Sequence, residues 1–338
     1  MQNIESLKKT ASPTASFAEI NEIKVDFSAL YTSKDPRNYF KYLGQLDYVI
    51  PHLAQPIFAQ IIRARAAAQQ QPVTVLDVGS SYAVNGALMK YGLRYETLRQ
   101  RYTSPVLQSV DADRLIELDR NFYSSWPRVD GVNVVALDIS ENAVRYAQAV
   151  GAADIGLVAD YENRDPTPEE AEALANVDLI VSTGCVGYVT ANSFRRIARA
   201  TRSGRKPWVV SFVLRMFPFD NIEIALSEFG LATEKFESAT FVQRRFANRE
   251  EMEATVLAVE KRGIDTRGHE AEGLYHAELF VSRPPDEIER MPLQKLITVV
   301  SGANVPWIVG TDVLGGFGQA ARRRAHAQRL QLAASRKV

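Results

Sequence analysis

The sequence predicts an α/β fold with a doubly wound, mostly parallel sheet. Five short apolar runs are rich in Val, Ile and Leu, and most of them close on Asp, Ser or Gly. Near-continuous apolar runs are typical of parallel strands that are covered on both faces. Helix-like segments lie between most of the runs, so right-handed crossovers would place helices on both sides of the sheet. The five runs are residues 73–79, 132–138, 154–160, 177–183 and 207–213.

The composition allows a sizeable core and disfavours nucleic acid as a partner. Of the 338 residues, 46% are hydrophobic and 24% are charged. Lysine plus arginine and aspartate plus glutamate number 40 each, so the basic excess expected of a nucleic-acid-binding protein is missing. The single cysteine, Cys185, excludes an internal disulfide and a multi-cysteine metal site, and we expect no metal.

The apolar pattern also bears on location. No run approaches the roughly 18 consecutive apolar residues that span a bilayer. Residues 1–20 lack an apolar segment of signal-peptide length. We therefore expect a cytoplasmic protein with no membrane partner.

The pattern along the chain predicts three regions. Residues 1–70 form an N-terminal helical cap or lid, after a loose first dozen residues. Residues 71–284 form the sheet domain, with a helical insertion at about 88–131 on the side where a ligand would bind. Residues 285–338 form a C-terminal extension that serves packing or oligomerisation, and a homodimer is one alternative.

The strongest motif is VTVLDVGSSYAVNGALM. A buried strand ends near Asp77 and turns through Gly79, Ser80 and Ser81 into a helix. In an open α/β sheet, ligands bind in the crevice at the carboxyl ends of the strands, beside the switch point. Small residues let the backbone approach a ligand, and the unpaired N–H groups at the helix start suit a carboxylate. The alternative is an ordinary tight strand-to-helix turn.

Two further acidic residues close neighbouring strands. VNVVALDIS ends a strand at Asp138, followed by Ile139, and a carboxylate there would accept hydrogen bonds from both ribose hydroxyls of a nucleoside. Glu96 has the shorter spacing of dinucleotide-binding proteins, but it lies within a helix-like stretch. LVADYEN ends a strand at Asp160, which could accept from an adenine amino group beside Tyr161.

These elements, with VDLIVSTGCVGYVT as a fourth strand, resemble the class I S-adenosylmethionine (SAM)-dependent methyltransferases over residues 73–284. The resemblance implies a seven-stranded sheet of the Rossmann-like methyltransferase fold and SAM as the methyl donor. It also implies that Ser182 and Thr183 run beneath the methionine part of the ligand. The alternating runs 238–246 and 274–282 match the family's final hairpin, which contains one antiparallel strand.

The chain departs from the family pattern in the glycine turn. Ser80, Ser81, Tyr82 and Ala83 stand where the family commonly has further glycines. This puts the geometry of the turn in question, and with it the identity of the contacting residues.

The predicted activity is transfer of a methyl group from SAM to a small-molecule or carrier-bound acceptor, mainly by proximity and orientation. One alternative is an NAD(P)-dependent oxidoreductase, but Gly86 follows Gly79 by seven residues, and the dinucleotide motif requires five. The other alternative is a non-catalytic partner subunit of the same fold.

The candidate catalytic residues lie in the N-terminal cap. His52 is the histidine that could act as a base, and Tyr39, Tyr42 and Tyr48 are candidate pocket walls. We expect residues 36–66 to close over the cofactor and to form the acceptor pocket with the insertion. The alternative is that these helices cover the sheet edge or form a dimer interface.

Overall fold

The computed structural model of the chain describes residue 30 and residues 32–201 and 206–299. In that part of the chain, eight strands form one sheet. They are β1 (Val73–Val78), β2 (Val132–Asp138), β3 (Ile155–Val158), β4 (Leu179–Thr183), β5 (Trp208–Leu214), β6 (Ala232–Lys235), β7 (Phe241–Arg245) and β8 (Leu274–Arg283).

Helices connect the strands and precede the first of them. They are α1 (Arg37–Gln45), α2 (Ile50–Gln69), α3 (Val84–Lys90), α4 (Tyr95–Thr103), α5 (Pro105–Gln108), α6 (Ala112–Ser124), α7 (Glu141–Ala149), α8 (Pro168–Leu174), α9 (Ala191–Ala200), α10 (Asp220–Ser227), α11 (Arg249–Lys261), α12 (Pro285–Arg290) and α13 (Leu293–Leu296).

The strand order is β3-β2-β1-β4-β5-β8-β6, and β7 pairs with β8 beside β6. Strands β1 to β5 pair in parallel, whereas β8 is antiparallel to β5, β6 and β7. The predicted doubly wound, mostly parallel sheet is therefore confirmed, together with its single antiparallel strand.

The sheet has eight strands, one more than the resemblance implied. The reason is the length of β8, which has ten residues. Strand β6 pairs only with Phe280–Arg283, which leaves the first half of β8 with an open edge. Strand β7 pairs with that half, through a bulge between Val242 and Arg244. Strand β7, from the predicted run 238–246, thus lies near the carboxyl end of β5, where Leu214 pairs with Ala277, and the strand that the sequence did not predict is β6.

Helices cover both faces of the sheet because successive strand residues point to opposite sides. In β1, Val75 packs in one core with Phe58 of α2, and Leu76 packs in the other core with Phe194 of α9. Helix α2 therefore covers the sheet as well as leading into it. The buried Phe58 ring contacts Phe212 of β5 edge to face, at 5.7 Å between centroids.

The C-terminal extension begins as a packed element. Leu293 and Leu296 of α13 are buried in the core on the α2 face. Gln60 of α2 exchanges two hydrogen bonds with the backbone of Thr298, at 3.1 and 2.8 Å. The rest of the predicted C-terminal extension, residues 300–338, lies outside the described residues. Within the described residues, no helix combines the length and the apolar character needed to cross a membrane.

Candidate functional site

A cavity of about 770 Å³ opens at the carboxyl ends of the parallel strands. Its walls come from the loops after β1 to β4, from the N-terminal helices, and from β7. A crevice at this end of the sheet is the usual ligand site of an open α/β fold. Of the residues predicted from sequence to contact the cofactor, those that line the cavity are Gly79, Ser80, Ser81, Asp138, Ile139, Asp160, Tyr161 and Thr183.

Gly79 allows the first turn to pack against the fourth strand's loop. Its φ is +66°, and a Cβ built there would lie 2.6 Å from the Cβ of Cys185. Any side chain would therefore meet a steric clash in addition to the strained backbone. The close approach brings the loops after β1 and β4 together on the floor of the cavity.

The residues that replace the family's glycines adopt glycine-like backbone conformations. Ser81 has φ 48° and Ala83 has φ 51°, both in the left-handed region. An L-residue held there costs about 1 kcal/mol or more. The turn is thus formed without further glycines, at a cost in stability. The Ser81 hydroxyl is also buried without a hydrogen-bond partner among the described residues.

We expect Ser81→Gly to stabilise the ligand-free protein by about 1–3 kcal/mol. Glycine removes the left-handed strain and the buried unpaired hydroxyl, while the backbone N–H at this position is retained. Urea unfolding without ligand measures the change. Ser80→Gly is the matched control. The backbone of Ser80 does not have a positive φ, so this change should not stabilise the protein. Equal or lower stability of Ser81→Gly would contradict the strain argument.

Asp138 lies at the end of β2 with its carboxylate fixed in the cavity wall. The backbone N–H of Ser81 donates to Oδ2 at 2.8 Å, and that of Ser140 donates to Oδ1 at 2.9 Å. Burial raises the pKa of Asp138, and the hydrogen bonds from Ser140 and Ser81 oppose this rise. Each carboxylate oxygen retains a lone pair for a ligand hydroxyl. The same carboxylate therefore anchors the glycine turn and faces the cavity.

The loop after β3 contributes the next part of the wall. Asp160 is half-buried, and it accepts hydrogen bonds from the Glu162 N–H at 3.0 Å and from Asn163 Nδ2 at 2.7 Å. Tyr161 is buried in the core beneath the loop. Ile139 also lines the cavity, and 74% of this apolar residue is exposed.

Asp77 lies beneath the cavity and does not line it. Its side chain is fully buried, and Oδ1 accepts from Asn85 Nδ2 at 3.2 Å. Asn85 also donates to Thr183 Oγ1 at 3.0 Å, so it links β1 to β4. Oδ2 of Asp77 and Oδ1 of Asn85 have no partner among the described residues. Asn85 lines the cavity, and it was not among the sequence candidates.

Ser182 also lies away from the cavity. It is fully buried within β4, and its hydroxyl donates to Ser211 Oγ at 2.9 Å. Cys185 lines the cavity, but its thiol points inward and donates to the Val78 carbonyl at 3.2 Å. Burial raises the pKa of that thiol to about 12. The side chain is therefore a neutral packing group and not a nucleophile.

The structure separates the cap candidates into two groups. Tyr39 and Tyr48 line the cavity, together with Leu43 and other residues of the cap. Tyr42 is 44% exposed on the outer side of α1. His52 does not line the cavity, and its pKa is lowered by burial and by Arg94 at the start of the insertion.

The insertion does not line the cavity, in contrast to our expectation for the acceptor pocket. All of residues 88–131 are described, and they pack behind the cap. Phe40 of α1 stacks on Tyr102 of α4, with 4.9 Å between ring centroids. The Tyr102 hydroxyl then joins those of Tyr123 and Tyr146 in a buried network. The insertion thus supports the cap from outside.

Strand β7 brings two further residues to the cavity, Gln243 and Arg244. Both are almost fully buried. Their sequence position, about sixty residues after β4, gave no signal that they would reach the site. They come to it because β7 pairs with the part of β8 that lies next to the carboxyl end of β5.

Comparison by sequence identifies no relative: no protein-family model matches the chain, and no curated protein matches it. Solved structures similar to the chain include a TehB-like SAM-dependent methyltransferase from Corynebacterium glutamicum. It is 16% identical, with 65% of this chain and 86% of that chain covered and a TM-score of 0.33.

Two further similar structures contain ligands. A phosphoethanolamine N-methyltransferase from Haemonchus contortus, in complex with phosphomonomethylethanolamine and S-adenosylhomocysteine, is 14% identical over 80% of this chain and 60% of that chain, with a TM-score of 0.37. A magnesium protoporphyrin IX methyltransferase from Synechocystis, with bound SAM, is 13% identical over 79% and 90%, with a TM-score of 0.33.

The strand order of the chain supports its sequence resemblance independently of these comparisons. Five parallel strands in the order β3-β2-β1-β4-β5 are followed by the antiparallel β8 and then by β6. The cavity lies at their carboxyl ends, beside the glycine turn. The chain thus has the sheet and the crevice implied by its resemblance to the class I SAM-dependent methyltransferases.

Proposed function

We propose that the protein is a SAM-dependent methyltransferase that acts on a small-molecule or carrier-bound acceptor. The observation that carries the proposal is the position of the Asp138 carboxylate. It faces the cavity at the end of β2, and the N–H groups of Ser81 and Ser140 hold it directly beside the glycine turn. This arrangement suits a nucleoside whose ribose hydroxyls donate to the acid and whose remaining part crosses the turn.

Polar atoms left unpaired in the cavity fit the rest of SAM. The Ser81 hydroxyl and Asn85 Oδ1 are buried without a partner among the described residues, and both residues line the cavity. Buried polar atoms normally have hydrogen-bond partners, so these two atoms indicate a polar ligand. The amino and carboxylate groups of the methionine part could supply the missing bonds. Asp138, Ile139 and the Asp160 loop would then hold the adenosine.

The chain contributes mainly positioning to the proposed reaction. SAM, when bound, supplies a methyl group on a positively charged sulfur. Holding an acceptor in line with that group can supply about 7–11 kcal/mol of the barrier. Among the described residues that line the cavity there is no histidine, and the Cys185 thiol is neutral. The described lining therefore offers neither a histidine base nor a cysteine nucleophile, which fits catalysis by orientation.

Leu30, Thr32 and Ser33, which precede α1, would exclude water from the site. The Tyr82 hydroxyl, in the glycine turn, donates to the carbonyls of Leu30 and Ser33 at 3.0 and 2.7 Å. Asn142 of α7 donates to the Thr32 carbonyl at 2.8 Å. Leu30 and Ser33 are therefore bonded to the glycine turn, and Thr32 is bonded to the helix after Asp138 and lines the cavity. Closing a site in this way strengthens its electrostatic interactions.

Calorimetric titration tests the proposal against its main alternative. We expect the full-length protein to bind SAM and S-adenosylhomocysteine, and not NADH or NADPH, because the turn lacks the glycines needed for close approach of a pyrophosphate. Binding of NADH without SAM would favour an oxidoreductase. If none of these ligands binds, both enzymatic functions are contradicted and the non-catalytic alternative is favoured.

A further inference from the structure

Strand β7 connects the cap to the cavity. The Val49 N–H donates to the Gln243 carbonyl at 2.9 Å, and the Arg245 N–H donates to the Leu46 carbonyl at 2.7 Å. Arg245 Nε also pairs with the Asp47 carboxylate at 2.6 Å. The turn between α1 and α2 is thus bound along β7. These backbone bonds fix Gln243 between the cap and the loop after β4.

The side chain of Gln243 is directed into the site. Gln243 is only 7% exposed, and it lines the cavity. Its amide packs against Gly184, where φ is +71° and a Cβ would lie 2.9 Å from Oε1. Oε1 is buried and has no hydrogen-bond partner among the described residues. A buried amide oxygen without a partner destabilises the folded protein unless a ligand donates to it.

Gln243 lies in the part of the cavity beyond β4, which we call the acceptor half. The proposed adenosine contacts lie at the ends of β2 and β3. Gln243 lies beyond β4, on the side of β5 and β8, together with Leu214 at the end of β5. A nucleoside bound at Asp138 therefore leaves this half of the cavity to a second molecule.

The charged side chain that β7 brings to the acceptor half is compensated by a buried partner. Arg244 is the cationic side chain there, and its Nη2 and Nη1 donate to Glu251 at 2.6 and 3.0 Å. Both members of this pair are almost fully buried, so their charges compensate each other. The nearby Cys185 thiol is neutral. A strongly charged acceptor would have no counter-charge at this position.

Aromatic and aliphatic side chains form the walls around the Gln243 amide. Tyr39, Tyr48 and Leu43 come from the cap, and Tyr188 comes from the loop after β4. Tyr188 is 57% exposed. Tyrosine rings pack well on flat apolar groups. The walls therefore suit a planar, apolar molecule.

We propose that Gln243 is a positioning residue that accepts a hydrogen bond from the methyl acceptor, and that the acceptor is an uncharged aromatic molecule bearing an O–H or N–H group. This inference rests on the proposed methyltransferase function, since it assigns the half of the cavity that SAM would leave open. The hydrogen bond orients the donor-bearing edge of the ring toward the loops that would hold the methionine part of SAM.

Matched probes test the proposal without knowledge of the natural acceptor. p-Cresol and p-xylene have nearly the same shape, and only p-cresol can donate to Gln243. With the protein saturated with S-adenosylhomocysteine, calorimetry gives the ratio of the p-xylene Kd to the p-cresol Kd. We expect this ratio to fall about fivefold or more in Gln243→Met, which keeps the length of the side chain and removes its amide.

The controls separate this inference from the proposed function. Gln100→Met, at an exposed residue of α4, should leave the ratio unchanged. S-adenosylhomocysteine affinity should stay within twofold of wild type in both variants. An unchanged ratio in Gln243→Met, or no binding of p-cresol, would overturn the assignment of Gln243. Failure of S-adenosylhomocysteine to bind would contradict the proposed function instead, and the same ratio in the unloaded protein would then test Gln243.

Discussion

Asp138→Ala is expected to weaken SAM binding by more than tenfold while the protein remains folded. A hydrogen bond to a charged group contributes about 1.5–3 kcal/mol, and ribose hydroxyls would donate to this carboxylate. The change also releases the Ser81 N–H, which Asp138 Oδ2 accepts at 2.8 Å. The glycine turn then loses its anchor at the residue that would contact the methionine part. Calorimetry measures the affinity, and circular dichroism checks the fold.

Asp160→Ala is expected to weaken SAM binding less than Asp138→Ala does. Asp160 is already bonded to the Glu162 N–H and to Asn163, and it would accept only a neutral amino group from adenine. Water can replace such a contact, so we expect a loss of about 1 kcal/mol. An unchanged affinity in Asp138→Ala would contradict the ribose assignment. A larger loss at Asp160 than at Asp138 would reverse the order of the two acids.

The sequence predicted the central strands because their chemistry is local. Strands buried on both faces must be almost wholly apolar, and four of the five apolar runs became the mostly buried strands β1, β2, β4 and β5. The fifth became the edge strand β3, where Ile155 and Val158 are exposed. Strand β6 (ATEK) was not predicted, because each of its four residues is half-buried and the segment shows neither an apolar run nor an alternation. Its pairing with β8 is set by the neighbouring strand and not by its own residues.

The candidate site likewise contains residues that local sequence predicts and residues whose place depends on neighbouring strands. Asp138 and Asp160 could be predicted because a residue that ends a parallel strand lies at the crevice. Gln243 could not, since its place depends on which half of β8 remains open for pairing. His52 was predicted to face the site, but it follows the cavity-lining Pro51 by one residue. One residue on an α-helix rotates the side chain by about 100°, which directs His52 toward the insertion.

The largest effect on stability is expected at Asp77. This carboxyl group is fully buried at the end of β1, with one hydrogen bond from Asn85 and one oxygen without a described partner. Burial raises the pKa of Asp77 to about 7; the Asn85 hydrogen bond opposes the rise, and the charge of Asp138 adds to it. The folded protein therefore prefers the protonated form at a pH where the unfolded chain is ionised.

The sign of the pH dependence follows from this difference. The pKa of an Asp in the unfolded chain is about 3.9, well below the folded value. The stabilisation from a protonated Asp77 is complete below pH 4 and is lost progressively as the pH rises to about 7 and above. A difference of about three pKa units corresponds to about 4 kcal/mol. Asp77→Asn, which stays neutral, should therefore be more stable than wild type by about 2–4 kcal/mol at pH 8, and equally stable at pH 4.

Urea unfolding of the ligand-free protein between pH 4 and pH 8 measures this dependence. Asp154→Asn is the control of opposite sign: burial raises the pKa of Asp154, but its pairing with Lys90 and its other partners outweigh burial and lower the pKa. That variant should be less stable than wild type across this pH range, and the difference should narrow only below about pH 4, where wild-type Asp154 becomes protonated. Parallel pH profiles for wild type and Asp77→Asn would mean that Asp77 is not held in its protonated form.

If the gain at pH 8 is observed, the buried carboxyl group reduces the stability of the empty site. A cationic ligand would favour its ionised form, so SAM should bind Asp77→Asn more weakly than wild type at pH 8.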